Sequence, residues 1–246
     1  MRKFGLIGYP LGHSFSKKYF SEKFEKTGIS DKNQYDLYEM EHIDQLPVVL
    51  KENPELVGLN VTIPHKLNVL PFLSEIDPAA QRIGAVNVLK VKPEGGLKGY
   101  NSDYYGFRKS LEEFLKGRTV SHSLVLGNGG AAKAIRVALE DLGIEYHLVS
   151  RNPGENSISY DEANNLLSSS HLIVNCTPLG TYPKVETAPP LNYDLIGSEH
   201  FLYDLVYNPE TTRFMQEGLN REAKVLNGYQ MLVYQAEKSW EIWNEL

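Results

Sequence analysis

The chain has 246 residues, of which 41% are hydrophobic and 23% are charged, and its formal net charge at pH 7 is -6. This composition is that of an ordinary globular protein with a substantial core. The acidic balance argues against nucleic acid as the main partner, because binding its phosphates needs concentrated Lys and Arg. A small anionic ligand in a locally basic pocket is compatible with it.

The cysteine count and the first residues of the sequence indicate the cellular compartment in which the protein is expected. Cys176 is the one cysteine of the sequence, so no disulfide can form within the chain, and we expect a reducing compartment, the cytoplasm. It ends an apolar run, so we expect a buried thiol and not a nucleophile. Residues 1–11 are interpreted as a first strand and not as a signal peptide, because Gly5, Gly8 and Pro10 break the apolar stretch. No apolar run approaches the length of a membrane span.

Residues 3–91 alternate strand-like and helix-like segments, which predicts an α/β unit. The strands are expected at 3–8, 34–40, 56–61 and 84–89, with a returning strand at 97–100. The helices are expected after Ser16 up to Gly28, at 44–51, at 76–84 and at 104–115. Ser16 is the candidate N-cap of the first helix, whereas Ser14 has no evident structural role.

Polar residues interrupt this pattern at expected loops and strand ends. Asn60, Thr62 and Lys66 surround a bend that a proline stiffens, and they carry donors and acceptors that a ligand could use. Asn87 stands alone in an apolar strand, so it needs partners, either in a structural network or in a ligand. Asp103 could bind a ligand or simply cap the helix that follows it.

The second half of the chain centres on a glycine turn. The apolar run 124–126 is interpreted as a buried strand, the turn 127–130 follows it, and a helix-forming segment comes next. The spacing of Gly127, Gly129 and Ala132 fits the dinucleotide fingerprint G-x-G-x-x-G/A. Phosphates would meet free N–H groups at the positive end of the helix. The turn therefore favours nucleotide binding over a plain strand-to-helix connection.

A basic residue follows the next strand and bears on the choice of cofactor. Further strands are expected at 145–149, 172–176, 201–206 and 223–226, with helices at 160–167, 211–218 and 229–243. The first of these strands ends in Ser150, Arg151 and Asn152, where dinucleotide folds meet the adenosine ribose. A carboxylate there suits NAD, whereas an arginine suits the 2′-phosphate of NADP. Arg151 favours NADP, unless it is a solvated surface residue.

Taken together, these motifs resemble the shikimate dehydrogenases from about residue 8 to residue 235. The motifs are Ser14-x-Ser16, Asn60-Val61-Thr62-x-Pro64-x-Lys66, Gly84-Ala85-Val86-Asn87, Asn101-x-Asp103, Gly127-x-Gly129-Gly130-Ala131, Ser150-Arg151-Asn152, Asn175-x-Thr177-Pro178-x-Gly180 and Gly228-x-x-Met231-Leu232-Val233-x-Gln235. The resemblance implies two three-layer α/β domains with the active-site cleft between them. It implies a substrate-binding and catalytic domain at 1–103 plus 229–246, and an NADP-binding, Rossmann-type domain at 104–228.

The resemblance also implies an activity, the NADPH-dependent and reversible reduction of 3-dehydroshikimate to shikimate on the route to chorismate and the aromatic amino acids. Lys66 would protonate the alkoxide that develops on the substrate, and Asp103 would orient Lys66 and hydrogen-bond the same substrate. Besides this catalytic pair, the implied substrate-binding residues are Ser14, Ser16, Asn60, Thr62, Asn87, Tyr207 and Gln235. The implied cofactor-binding residues are Gly127, Asn128, Gly129, Gly130, Ala131, Ser150, Arg151, Asn152, Thr177, Val206, Gly228 and Met231.

The chain departs from the family pattern at several positions. Ser102 replaces a usual Thr and keeps the hydroxyl, while Asn128, Thr181 and Gln230 replace common Ala, Met and Gly. The second basic residue that often follows the arginine is missing from 152–155. Two alternatives therefore stay open: a quinate or shikimate dehydrogenase that uses NAD, and a non-catalytic nucleotide-binding protein on the same fold. We expect no metal ion and no nucleic-acid or membrane partner, and either a monomer or a homodimer.

Overall fold

A computed structural model describes residues 1–12 and 14–245. The chain divides into two compact units, one formed by Met1–Ser102 with Ala236–Leu246 and the other by Asp103–Gln235. The chain crosses from one unit to the other twice, at the start of the helix Ser102–Leu115 and within the helix Tyr229–Asn244. In the described residues, no helix is long and apolar enough to cross a membrane.

The first unit alternates strands and helices as the sequence predicts. Its strands are β1 (Arg2–Gly8), β2 (Asn33–Glu39), β3 (Leu56–Val61), β4 (Glu75–Ile76), β5 (Val88–Val91) and β6 (Leu97–Tyr100). Its helices are α1 (Phe15–Lys26), α2 (Leu46–Glu52), α3 (His65–Asn68) and α4 (Pro78–Ile83), with short 3-10 turns at Ile43–Gln45 and Leu70–Phe72. The unit ends with the C-terminal part of α9 (Tyr229–Asn244).

The six strands form one mixed sheet in the order β2-β1-β3-β5-β6-β4. β1 runs parallel to β2 and β3, and β5 is antiparallel to both of its neighbours. Side chains alternate between the two faces, so each face has its own apolar core. Leu59 and Val61 pack with α2 and α4 on one face, whereas Phe4 packs with α1 and α9 on the other. The unit therefore has three layers.

Two details of the first unit differ from the sequence prediction. Ser14, and not Ser16, caps α1, because its Oγ accepts the N–H of Lys17 at 3.2 Å, and the prediction of Ser16 as the cap was wrong. Two serines two residues apart fit a cap equally well in the sequence, so the pattern could not separate them. The strand expected from residue 84 begins at Val88, because Gly84 ends α4 in the left-handed conformation with φ of 69°.

The second unit begins with α5 (Ser102–Leu115), whose first residue belongs to the first unit, and ends in α9. Its strands are β7 (His122–Leu126), β8 (Glu145–Val149), β9 (Leu172–Asn175), β10 (Phe201–Asp204) and β11 (Lys224–Leu226). Its other helices are α6 (Gly130–Asp141), α7 (Tyr160–Leu166) and α8 (Arg213–Leu219), with a 3-10 turn at Tyr193–Leu195.

These five strands form a fully parallel sheet in the order β11-β10-β9-β7-β8. Val125 faces a core shared with α5 and α6, whereas Leu124 and Leu126 face a core shared with α7 and α8. The predicted fold class, two three-layer α/β domains with a Rossmann-type second domain, is confirmed. The strand order reverses at β7, which lies between β8 and β9, and ligands of open α/β sheets bind at such a point.

Candidate active site

Backbone hydrogen bonds fix the loop that carries Lys66 to the rest of the first unit. The N–H of Val61 donates to the carbonyl of Asn87 at 2.8 Å, and the N–H of Val86 donates to the carbonyl of Lys66 at 2.9 Å. The N–H of Thr62 reaches the carbonyl of Ile7 at 2.9 Å. The end of β3 and the loop after it are therefore held by β1 and by the segment before β5. This brings Asn60, Thr62, Lys66 and Asn87 into one region.

A buried chain of hydrogen bonds connects two of the predicted substrate-binding amides. Tyr35 Oη donates to Asn60 Oδ1 at 2.8 Å, and Asn60 Nδ2 donates to Ser239 Oγ at 2.9 Å. Ser239 Oγ lies 3.3 Å from Ser102 Oγ, which in turn accepts from Asn87 Nδ2 at 3.2 Å. The N–H of Ser102 donates to Asn87 Oδ1 at 2.7 Å. All five residues are buried, so these bonds offset the desolvation of their polar groups.

The two serines predicted to bind the substrate carboxylate lie at the start of α1, and both are half-buried. Ser14 uses its Oγ as the helix cap. Burial strongly raises the pKa of the Tyr35 hydroxyl, and the Ser16 side chain opposes this with a smaller, lowering effect.

Three further predicted residues belong to the second unit. Asp103 lies in the first turn of α5 and directly follows Ser102 of the buried network, while Gln235 is 7% exposed on α9. α5 and α9 pack so closely that Gly106 has no room for a side chain. A Cβ at Gly106 would lie 2.5 Å from the carbonyl oxygen of Met231 and 3.1 Å from Gln235 Cβ. Tyr207 follows β10 and is 39% exposed.

A cavity of about 710 Å³ opens where β7, β8 and β9 end in the second unit. The predicted cofactor residues that line it are Gly127, Asn128, Gly129, Ser150, Arg151 and Thr177. The lining also contains residues for which the sequence predicts no role in binding: Tyr160, Cys176, Pro178, Leu179, Tyr182, Pro183, Lys184 and Thr187. These come mostly from the loop after β9, whose path the motifs did not predict.

The remaining predicted cofactor residues lie outside this lining. Gly130 and Ala131 form the first turn of α6, Asn152 forms a turn with Ser150, and Val206, Gly228 and Met231 are buried. Gly228 packs against the carbonyl of Leu205 too closely for a Cβ, so packing accounts for this glycine. The part that these remaining residues play in cofactor binding stays a prediction.

The glycine turn has the geometry that a pyrophosphate needs. Gly127 has φ of 95°, a left-handed conformation that glycine adopts without strain, and its N–H donates to the carbonyl of Val149 at 2.8 Å. A Cβ built on Gly129 or Gly130 would meet no atom within 4 Å. Gly129 caps α6 without a side chain, so N–H groups of the first helical turn remain for an anion. The residues present therefore fit a dinucleotide.

The end of β8 supplies one positively charged side chain of the cavity, that of Arg151. Ser150 Oγ donates to the carbonyl of Asn152 at 3.1 Å and accepts its N–H at 3.2 Å, which holds the loop in a tight turn. Arg151 is exposed, and its charge lowers the pKa of Tyr160 against the larger, raising effect of burial. No three His, Cys, Asp or Glu side chains in the described residues are grouped to hold a metal ion.

A buried carboxylate, Asp204, joins the ends of β9 and β10. Its Oδ1 accepts from Asn175 Nδ2 at 2.9 Å and from the N–H of Val206 at 3.0 Å, and its Oδ2 accepts from Thr212 Oγ1 at 2.6 Å. Asn175 Oδ1 in turn accepts the N–H and the hydroxyl of Thr177, which lines the cavity. Burial raises the pKa of Asp204 to about 6, although these three donors favour the ionised form.

Known proteins match this chain along its whole length. Residues 6–89 match the family model of the shikimate dehydrogenase substrate binding domain. The curated "Shikimate dehydrogenase (NADP(+))" of Clostridium beijerinckii is 40% identical over 255 residues, which cover 100% of this chain and 93% of the relative. The chain belongs to the shikimate dehydrogenase family.

Solved structures named as shikimate dehydrogenases have the same fold. A chorismate mutase/shikimate 5-dehydrogenase fusion protein from Clostridium acetobutylicum matches with a TM-score of 0.89 and 39% identity, over 99% of this chain and 91% of that one. The shikimate 5-dehydrogenase of Thermus thermophilus, in complex with NADP(H) and shikimate, matches with a TM-score of 0.84 and 32% identity, over 100% and 94% of the two chains.

In this member of the shikimate dehydrogenase family, Asp204 makes the stability of the second unit depend on pH. Its pKa is raised from 3.8 to about 6, so the folded state holds the proton more tightly than the unfolded state. This stabilisation is complete below the unfolded pKa and is lost as the pH rises through about 6. Asp204→Asn removes the titration, so from about pH 4 to pH 7 wild type should lose up to about 3 kcal/mol of unfolding free energy relative to the variant.

Urea unfolding followed by far-UV circular dichroism at several pH values measures this difference. Asp161→Asn is the matched control for the loss of a carboxylate, because Asp161 is an exposed aspartate of the same unit. The difference in unfolding free energy between wild type and Asp161→Asn should change much less between about pH 4 and pH 7 than the difference between wild type and Asp204→Asn. A constant difference between wild type and Asp204→Asn would contradict the role of Asp204.

Proposed function

We propose that the chain is an NADP-dependent shikimate dehydrogenase, an oxidoreductase acting on a CH–OH group, that reversibly reduces 3-dehydroshikimate to shikimate. The observation that carries this proposal is the full-length similarity to curated relatives named for this activity. The glycine turn, the basic side chain after β8 and the region of Asn60, Lys66 and Asn87 supply the chemistry that the reaction needs. Its place in metabolism is the route to chorismate and the aromatic amino acids.

The proposed division of labour assigns substrate binding and catalysis to residues 1–103 with 229–246, and NADP binding to residues 104–228. NADPH, when bound, supplies the hydride. The pyrophosphate site is formed by the turn 127–130 and the first turn of α6, where N–H groups and the helix dipole favour anions. Arg151 is the proposed partner of the 2′-phosphate, because a guanidinium forms paired, charge-assisted hydrogen bonds with phosphate oxygens.

Recognition of the substrate is assigned to a set of neutral polar side chains. Shikimate carries several hydroxyls and a carboxylate, and each needs a fixed partner. The proposed partners are Ser14, Ser16, Asn60, Thr62, Asn87, Tyr207 and Gln235. Asn60 and Asn87 are oriented by the buried hydrogen bonds to Ser239 and Ser102, so they can reach the substrate without first being ordered by it. A site built to bind hydroxyls rejects analogues that lack them by ~10⁴-fold or more in favourable cases.

Lys66 and Asp103 are the proposed catalytic residues. As the carbonyl is reduced, negative charge develops on its oxygen. A protonated Lys66 stabilises that charge and delivers the proton. Asp103 orients the Lys66 ammonium and accepts a hydrogen bond from the substrate. In the reverse direction, the same lysine takes the proton from the hydroxyl of shikimate.

A second candidate function is a quinate or shikimate dehydrogenase that uses NAD. The absence of a second basic residue at 152–155, after Arg151, favours this candidate. With one cation fewer the 2′-phosphate of NADP is held less tightly, which makes the use of NAD easier. For the wider context we propose a cytoplasmic enzyme, monomeric or homodimeric, with small molecules as its partners and neither nucleic acid nor membrane among them.

The proposal predicts shikimate-dependent reduction of NADP⁺ by the purified protein. Rates measured with all four pairs of NADP⁺ or NAD⁺ and shikimate or quinate separate the two candidates. We expect NADP⁺ with shikimate to give the highest kcat/KM. A higher value for NAD⁺ with quinate establishes the second candidate. No turnover with any pair, in folded protein that binds NADP⁺, contradicts both and favours a non-catalytic nucleotide-binding protein.

Lys66→Ala should lower kcat by about 10²–10⁴-fold, the usual contribution of a general acid. The affinity for NADP⁺ should stay within about twofold, because no proposed cofactor contact is lost. Lys51→Ala is the matched control, since Lys51 is an exposed lysine of the same unit, on α2. If Lys66→Ala retains the wild-type kcat, the proton donor is another group.

A further inference from the structure

The cofactor cavity has two cationic side chains that come from different loops. Arg151 follows β8, whereas Lys184 lies in the loop after β9, and both line the cavity. Neither side chain forms an ion pair with another described residue. Among the described residues that line the cavity, none is Asp or Glu. The cavity is therefore positively charged in a protein whose net charge is -6.

Backbone hydrogen bonds hold Lys184 in place, so its position does not depend on its side chain. Its N–H donates to the carbonyl of Thr181 at 2.9 Å, and its carbonyl accepts the hydroxyl of Thr187 at 2.8 Å. The same hydroxyl accepts the N–H of Gly180 at 2.8 Å, which closes the loop on itself. The N–H of Tyr182 also donates to the carbonyl of Asn208 at 3.2 Å. A substitution of the lysine side chain leaves these bonds intact.

The loop after β8 has Glu155 where a second cation is often found, and Glu155 is exposed and does not line the cavity. A single arginine leaves a 2′-phosphate, which carries nearly two negative charges at neutral pH, only half neutralised. A second cation would complete the neutralisation, and Lys184 is the lysine that lines the same cavity.

We propose that Lys184 is a cofactor-selecting residue, whose ammonium group binds the 2′-phosphate of NADP together with the guanidinium of Arg151. This inference rests on the proposed function in one respect, that the cavity binds NADP. A lysine acts as a point charge with three donors, so it can complete a phosphate site that an arginine fork has begun. The preference for NADP then depends on two loops, one after β8 and one after β9.

Dissociation constants for NADP⁺ and NAD⁺, measured by isothermal titration calorimetry, test the inference without any need for turnover. Lys184→Gln should weaken NADP⁺ binding about tenfold, the size of one charge-assisted hydrogen bond, and leave NAD⁺ binding within about twofold. The fragments 2′,5′-ADP and 5′-AMP should show the same contrast. Lys184→Arg should retain the affinity for NADP⁺.

Two further variants sharpen the test. Lys116→Gln removes an exposed lysine of the same unit that does not line the cavity, so it should change neither dissociation constant. Adding Glu155→Arg to Lys184→Gln restores a second cation from the loop after β8, so the preference for NADP⁺ should recover.

Two results overturn the inference. An equal loss of affinity for NADP⁺ and NAD⁺ assigns Lys184 to a part that the two cofactors share, and unchanged affinities remove it from the site. Failure of the proposed function can be distinguished from failure of this inference. A protein that needs Lys184 to bind NADP⁺ but never oxidises shikimate contradicts the proposed activity and supports the inference. An enzyme that oxidises shikimate, but whose preference for NADP⁺ over NAD⁺ is unchanged by Lys184→Gln, supports the proposed activity and contradicts the inference.

Discussion

The burial of two amide side chains, those of Asn60 and Asn87, constrains the first unit. Asn60 is 4% exposed and Asn87 is 3% exposed, and an unpaired buried amide costs about 1–3 kcal/mol. Their partners come from distant parts of the chain, since Ser239 lies on the last helix and Ser102 at the start of α5. The return of the C-terminal helix to the first unit therefore completes this hydrogen-bond network as well as the core.

The second unit also contains a buried polar side chain with partners from several segments, in this case a carboxylate. Asp204 is fully buried and gathers donors from the ends of β9 and β10 and from Thr212, which precedes α8. Through Asn175 it fixes Thr177 at the wall of the cavity proposed to bind the cofactor. In both units, the polar residues near the proposed site are held by buried partners that do not line it, which keeps the site arranged before a ligand arrives.

The sequence predicted the parts of the protein that depend on local pattern. Strand–helix alternation gave the two α/β units, and the glycine spacing located the turn whose Gly127 is left-handed in the structure. Partners far apart in the chain could not be predicted, because nothing in the sequence around Ser239 indicates that it meets Asn60. Lys184 was missed for the same reason, since its place in the cavity depends on the path of an irregular loop.

In the proposed reaction, NADPH passes its hydride to the carbonyl carbon of 3-dehydroshikimate while residues of this chain bind and protonate the substrate. The most direct measurement is a single turnover with NADPH that carries deuterium at the transferable position of the nicotinamide. Mass spectrometry and NMR of the product should find one deuterium in shikimate, on the carbon that was the carbonyl. Unchanged 3-dehydroshikimate, in folded protein with NADPH bound, would contradict the account.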